Sequence, residues 1–338
     1  MGIAMSRFDA VTGELSAPKL VAPTRDPAFF VIHPSARNLY ICNTGTPGGV
    51  SAFALDTSTG ALKLLNHKVS IGRGPSHIGL DRSGRYVLDA NYGGGYVEIH
   101  EQLSDGSLGK QTAFVEHRGS SVHPERQTKA YAHWFGVDPT NKFALAADLG
   151  TDRIVIYRFD ASNGLLQPAE PPHASVRAGS GPRHLAWHPD GKFVYAIQEL
   201  TNEIIAFSWD SDKGILAELQ TIATLPADFK GTNTAAEIAV HSNGRFLYAS
   251  NRGHDSIAVY AIDKVSRRLT LLQHVSSGGK TPRYFAFDPS SQWMIVSNQD
   301  SDNVVIFHVD ESSGAIKSHG TPIALTKPMA VGFMPERK

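Results

Sequence analysis

Three arginines, two glutamates and one histidine, Arg183, Arg252, Arg283, Glu199, Glu237 and His133, form the most suggestive group of reactive side chains in this sequence. Histidine and carboxylate groups move protons near neutral pH, and guanidinium groups hold anions. Arg183 or Arg252 can pair with Glu199 or Glu237 as ordinary structural ion pairs. Three cations exceed what such pairing uses, so the group is expected to form an anion site. His77 and His184 stand beside it in the repeat described next, either as hydrogen-bonded packing residues or as ligand contacts.

What brings these distant residues together is a repeat. The pairs His33-Pro34, Asp81-Arg82, Asp138-Pro139, His188-Pro189, His241-Ser242, Asp288-Pro289 and Met334-Pro335 recur at intervals of 46 to 57 residues. Six positions before five of these anchors stands a proline: Pro27, Pro75, Pro182, Pro282 and Pro328. Apolar residues occupy the third and first positions before each anchor, as in Phe135 and Val137 or Leu185 and Trp187, which is the period of a strand packed on one face. A second strand follows, of the type 192–197, and then a third, of the type 204–207. A turn of the form Asp-x-x-x-Gly-x-Leu, as at 56–62 and 160–166, leads to a weaker fourth. Four short strands per repeat describe a propeller blade. The expectation is an all-β, seven-bladed propeller of four-stranded antiparallel blades, one domain over residues 1–338. Its closing blade takes a first strand from 328–334 and third and fourth strands from the N-terminal residues, with no residues for a second strand. That blade is then three-stranded, or the chain begins upstream of Met1.

Adjacent antiparallel strands place the start of the first and the end of the second at the same rim. Residues five and four before the anchor and eleven after it therefore surround one mouth of the central channel. Those positions hold His133, Arg183 and Arg283, then His77, His184 and Glu237, then Glu199 and Arg252. Two long connections, 119–129 and 226–233, reach the same sector, and long loops on a rigid scaffold commonly carry binding residues. Ten after the anchor runs a row of Asn43, Asn91, Asp148, Gln198, Asn251 and Asn298. Such oxygens suit calcium, but a residue type repeated in every blade is better explained by side chains that bond nearby backbone at turns. No His-Glu-x-x-His, paired-cysteine, Gly-x-Ser-x-Gly or phosphate-loop motif is present, so no metal or other cofactor is expected at the site.

Composition narrows the partners. The 32 basic and 32 acidic residues cancel, which leaves no field for nucleic acid or an anionic membrane. No apolar run is long enough to span a bilayer, and the N-terminal residues lack a signal-peptide pattern, so a cytoplasmic protein is expected. Cys42, the single cysteine, closes no internal disulfide. A monomer is compatible with all of this.

The segments 123–127 with His133-Trp134, 148–154, Gly181-Pro182-Arg183-His184, Ala236-Glu237-Ile238 and 248–253 resemble the lactonase family of seven-bladed propellers. That family includes the cycloisomerase-2-type 6-phosphogluconolactonases and the carboxy-cis,cis-muconate lactonizing enzymes. The similarity runs over nearly the whole chain, although the family's opening strand has no counterpart here. It implies catalytic roles for His133, Glu199, Arg183 and Arg252, and substrate contacts from Glu237, Arg283, His77, His184, Arg126 and Gln127. The implied reaction is metal-independent hydrolysis of a small anionic lactone, 6-phosphogluconolactone first. Either His133 or Glu199 would be the base and the other the acid, with the arginines on the oxyanion or phosphate. Lactonisation of a carboxylated muconate and a binding propeller without catalysis are the alternatives.

Overall fold

The computed structural model describes residues 2–334. Six sheets of four antiparallel strands follow one another along the chain, at 27–69, 77–116, 132–175, 182–223, 234–276 and 282–324, numbered here as blades 1 to 6. Within each, the strands lie in sequence order and the second strand is the most deeply placed. Tyr86–Asn91 and Phe143–Asp148 are buried at every position. Both faces of that strand meet a neighbouring blade. Leu145 and Ile154 of blade 3, for example, pack with Leu185, Val194 and Phe207 of blade 4, while Tyr195 and Ile197 of blade 4 pack with Ile238 and Leu247 of blade 5. Each such side chain removed from water contributes about 1.5–3 kcal/mol, so the inter-blade faces hold the ring together.

The Asp-x-x-x-Gly turn closes as its residue types require. In blade 3, Asp160 Oδ1 accepts the Ser162 amide at 2.9 Å, and the Asp160 carbonyl accepts the Gly164 amide at 2.8 Å. Gly164 has φ +68°, and a Cβ there would lie 2.3 Å from the Tyr86 ring of blade 2. Glycine is required on both counts.

Six of the seven expected blades are four-stranded sheets, and the closing one, expected to have no residues for a second strand, departs further from the pattern. The closing unit is a bent N-terminal hairpin, Gly2–Met5 with Lys19–Pro23 and Phe8–Asp9 with Glu14–Leu15. Ile3 and Ala22 pack on Leu39, Ile41 and Phe53 of blade 1, while Phe8 and Leu15 pack on Trp293 of blade 6. Residues 328–334, expected as a strand, form none, and Pro335 of the last anchor lies outside the described residues. The physical reason is the absence of a second strand, whose amides and carbonyls hold the first in every other blade. Side chains alone hold this segment, chiefly Phe333 against Phe8 at 5.2 Å between ring centres. An apolar cavity of about 470 Å³ remains between hairpin and segment, lined by Ile3, Met5, Phe30, Ile41 and Val331 among others.

Few ladder bonds and an internal void make this unit the least stable part of the ring. In native-state hydrogen exchange, the amides of Gly2–Met5 and Phe8–Asp9 are expected to exchange well before those of Phe143–Asp148 and Phe193–Gln198. Equal protection would show that the closing unit is held as firmly as the complete blades.

Candidate active site

A local irregularity in the first strand points side chains at the channel mouth. In blades 1, 3, 4, 5 and 6 the pairing between first and second strands skips a residue just inside the strand start, between Pro27 and Phe29, Ala132 and Trp134, Pro182 and His184, Ala235 and Ile238, and Pro282 and Tyr284. Bulges of this kind re-aim the residue left unpaired. The skipped residues are Ala28, His133, Arg183, the pair Ala236 and Glu237, and Arg283. Four of the five bulges thus present a titratable group.

Glu199, just after the second strand of blade 4, lies at the centre. It is 3% exposed, and three guanidinium groups surround its carboxylate. Arg183 Nε and Arg252 Nη2 both lie 3.0 Å from Oε2, and Arg126 Nη2 donates to Oε1. Burial alone would raise the Glu199 carboxyl, but the charges of Arg252, Arg183 and Arg126 hold it far below the carboxylate range. Backbone carbonyls brace the cations from behind: Arg183 Nη1 donates to Ala236, and Arg252 donates to Thr234 and Ala235 at 3.3 and 3.1 Å. Burial, then the Arg252 charge, pushes Arg183 down to about 9 and Arg283 down to about 10. Both remain cationic at neutral pH. Arg283 has no ion pair or hydrogen bond among the described residues.

Next to this charged centre is a neutral one. Glu237 is buried, with Oε2 2.9 Å from His184 Nδ1 but without the alignment of a hydrogen bond. Burial pushes Glu237 up to about 8, although Arg183 pulls the other way, so it carries a proton at pH 7. Burial, then Arg183, drives His184 and His133 well below the usual imidazole range, and burial brings His77 to about 3. The three rings are uncharged. His184 lies 5.2 Å from His133 and 5.4 Å from His77, ring centre to ring centre, and Phe29 covers His77 at 4.7 Å. Four arginines against one ionised glutamate leave the mouth strongly positive.

The residues chosen from sequence therefore converge, with one exception. Gln127 is fully buried in its loop, where its amide donates to the Leu149 carbonyl and to Asp152, both at 2.8 Å, and its oxygen accepts the His123 amide at 3.0 Å. It does not face the mouth. It holds the turn that lets Arg126 reach Glu199. Side chains not selected from sequence also form the walls. Tyr92 stacks on Tyr131 at 4.8 Å, meets His133 at 5.5 Å and offers its hydroxyl to Arg126, while Tyr284 meets Phe29 at 5.0 Å. Tyr92, Tyr284 and Phe29 occupy the same repeat positions as the charged residues, which is the signal that could have found them. In the row ten after the anchor, Asn91 Oδ1 accepts Gly94 at 2.7 Å and Asp148 Oδ1 accepts Tyr131, Gly150 and Thr151 at 2.9 to 3.1 Å, while Asn43 and Asn251 accept the hydroxyls of Ser51 and Thr224 and the Gln198 and Asn298 oxygens have no hydrogen bond among the described residues.

A ring of antiparallel four-stranded blades around a cationic mouth is a β-propeller with its polar groups gathered at one end of the channel. Residues 1–333 match the family model described as "Lactonase, 7-bladed beta-propeller", and the chain belongs to that family. The 6-phosphogluconolactonase of Bacillus subtilis is 35% identical over 334 residues, which cover 98% of this chain and 94% of that one. The structure of a Pseudomonas aeruginosa periplasmic gluconolactonase superposes with a TM-score of 0.91 at 31% identity, over 96% of this chain and 93% of that one. A Lactobacillus plantarum protein superposes equally well, TM-score 0.91 at 30% identity, over 97% and 94%. The chain is an enzyme of the lactonase type. Among the described residues no helix is long and apolar enough to cross a membrane.

Glu199→Gln removes the anion and leaves Arg126, Arg183 and Arg252 facing one another. Breaking a buried ion pair in this way costs on the order of 3–5 kcal/mol. Urea unfolding at pH 7 should show that loss, and an unchanged midpoint would contradict the assigned role.

Glu237 gives a pH signature. Its pKa is raised from 4.5 unfolded to about 8 folded, so the folded state holds the extra proton between those values. Its stabilising contribution is complete below the unfolded value and is lost as pH rises through the folded one, with a slope of at most about 1.4 kcal/mol per pH unit. Glu237→Gln should flatten this part of the stability profile. A variant profile parallel to wild type between pH 5 and 8 would show that Glu237 does not hold the proton.

Proposed function

We propose that this chain hydrolyses an anionic sugar lactone, with 6-phosphogluconolactone as the preferred substrate and no metal ion in the reaction. The observation that carries the proposal is Arg283, a half-buried guanidinium with no ion pair or hydrogen bond among the described residues, in the same mouth as a glutamate that keeps its proton. A phosphate or carboxylate is the natural counter-ion for Arg283, whose guanidinium can meet it with charge-assisted hydrogen bonds.

Water attacks the lactone carbonyl, and neutral His133 takes the proton. Its pKa is low because of burial and Arg183, and an incoming anion that offsets the arginine charge raises it toward the working range. Among the described residues, Arg183 Nη2 and Arg252 Nη1 have no hydrogen bond, and these nitrogens receive the oxyanion. The tetrahedral intermediate collapses, the ring C–O bond breaks, and Glu237 delivers its proton to the leaving alkoxide. The proton on His133 then returns to Glu237, directly or through solvent. Glu199, first considered as acid or base, is too strongly held as a carboxylate to exchange protons. In this reading it keeps the arginines in place.

The test is the initial rate of opening of freshly made 6-phosphogluconolactone, followed by NMR with chelator present and the spontaneous rate subtracted. Wild type should accelerate the reaction, Glu237→Gln should lower kcat by about 10²–10⁴-fold, and Arg283→Ala should mainly raise KM. Rates at background for wild type, with turnover of a carboxymuconate instead, would replace the substrate. Wild-type rates in both variants would overturn the assigned roles.

A further inference from the structure

Blade 2 departs from the other five complete blades at three positions, and the departures meet at one point. Asp89 in its second strand pairs across the sheet with Glu98 in its third, and His100 lies two residues further along, on the same face. The three residues that correspond to Asp89, Glu98 and His100 are Ile41, Ser51 and Phe53 in blade 1, Ala146, Val155 and Tyr157 in blade 3, and Ala196, Ile205 and Phe207 in blade 4. In blades 5 and 6 they are Ala249, Ala258 and Tyr260, then Val296, Val305 and Phe307. In the other five blades these positions hold a pair of small or branched uncharged residues and an aromatic ring. Blade 2 supplies two carboxylates and an imidazole.

These groups are buried between blades 1 and 2, beside Val87 and Cys42, with Asp89 at 0%, Glu98 at 5% and His100 at 5% exposure. Their ligating atoms all lie within 4.8 Å of one another. As ions they do not satisfy each other; the alternative is a proton shared between Asp89 and Glu98, since burial and the adjoining Glu98 hold Asp89 well above the usual carboxylate range. Both oxygens of Asp89 and both ring nitrogens of His100 lack a hydrogen-bond partner, His100 Nε2 stands 3.6 Å from Glu98 Oε1, and Glu98 receives only the Gln111 amide. Buried polar atoms are nearly always paired. Four orphaned atoms converging on one point, with two carboxylates and no cationic side chain bonded to them, are the pattern that a bound dication resolves.

We infer that Asp89, Glu98 and His100 form a structural binding site for one divalent transition-metal cation, on the face of blade 2 that packs against blade 1. A mixed set of two carboxylates and an imidazole suits zinc or manganese, whereas calcium takes six to eight oxygens. The ion ties the second and third strands of blade 2 together within the blade 1 interface. None of its three ligands belongs to the set assigned to lactone opening.

The test uses the full chain, made without a metal-affinity tag in medium supplemented with zinc or with manganese, then dialysed against a weak chelator. The comparison is the triple variant Asp89→Ala/Glu98→Val/His100→Tyr, which gives blade 2 the side chains that blade 3 already packs at these positions and so preserves the fold. Elemental analysis should find about one equivalent of one of the two metals in wild type and little in the variant, with an anomalous-scattering peak among the three side chains. Equal metal in both proteins, a peak elsewhere, or wild type free of both metals would overturn the proposal.

Discussion

One buried carboxylate organises the mouth of this propeller. Glu199 attracts three guanidinium groups from three parts of the chain, the loop before blade 3, the first strand of blade 4 and the second strand of blade 5. Arg183, the most deeply buried of them, would not remain in so dry a place without an anion at hand. Because one negative charge serves three positive ones, the arrangement stays attractive to a further anion. The scaffold makes this possible: neighbouring blades pack so closely through Val194, Ile205 and Leu247 that the bulged strand starts cannot drift apart.

The same charge imbalance sets the protonation of everything nearby. Histidines that would otherwise titrate near neutrality are held neutral by burial and by Arg183, and Glu237, which has no cation bonded to it, keeps a proton that Glu199 cannot. Two carboxyl groups on adjacent blades thus acquire opposite states from their surroundings alone. Separation of this kind is what acid–base chemistry at one pH requires.

Much of the architecture was legible in the sequence because it rests on short-range rules. Period-two alternation marks the strands, Asp and Gly at fixed spacing mark the turns, and antiparallel order assigns Arg183, Glu199 and Glu237 to a common rim. Four matters were not legible. Bulges depend on pairing between strands, so nothing in Pro182-Arg183-His184 announces that Arg183 is the residue left over. Residues 328–334 carry the apolar pattern of a strand but have no second strand to pair with, and pattern without a partner forms no ladder. Gln127 and Arg126 are neighbours whose fates diverge, one spent on its own loop and one reaching Glu199, a difference only the loop's conformation decides. The proton on Glu237 likewise depends on burial, which no residue type reveals.

The central claim is that this cationic mouth is where an anionic lactone binds, with Arg283 as the free anchor. The most direct measurement is the crystal structure of the protein with 6-phosphogluconate, the product of the proposed reaction. The account predicts one anionic end of the ligand on Arg283 and the new carboxylate between Arg183 and Arg252, with the arginines still gathered on Glu199. Product bound elsewhere, in the apolar cavity of the closing unit for example, with the mouth free of ligand, would contradict it.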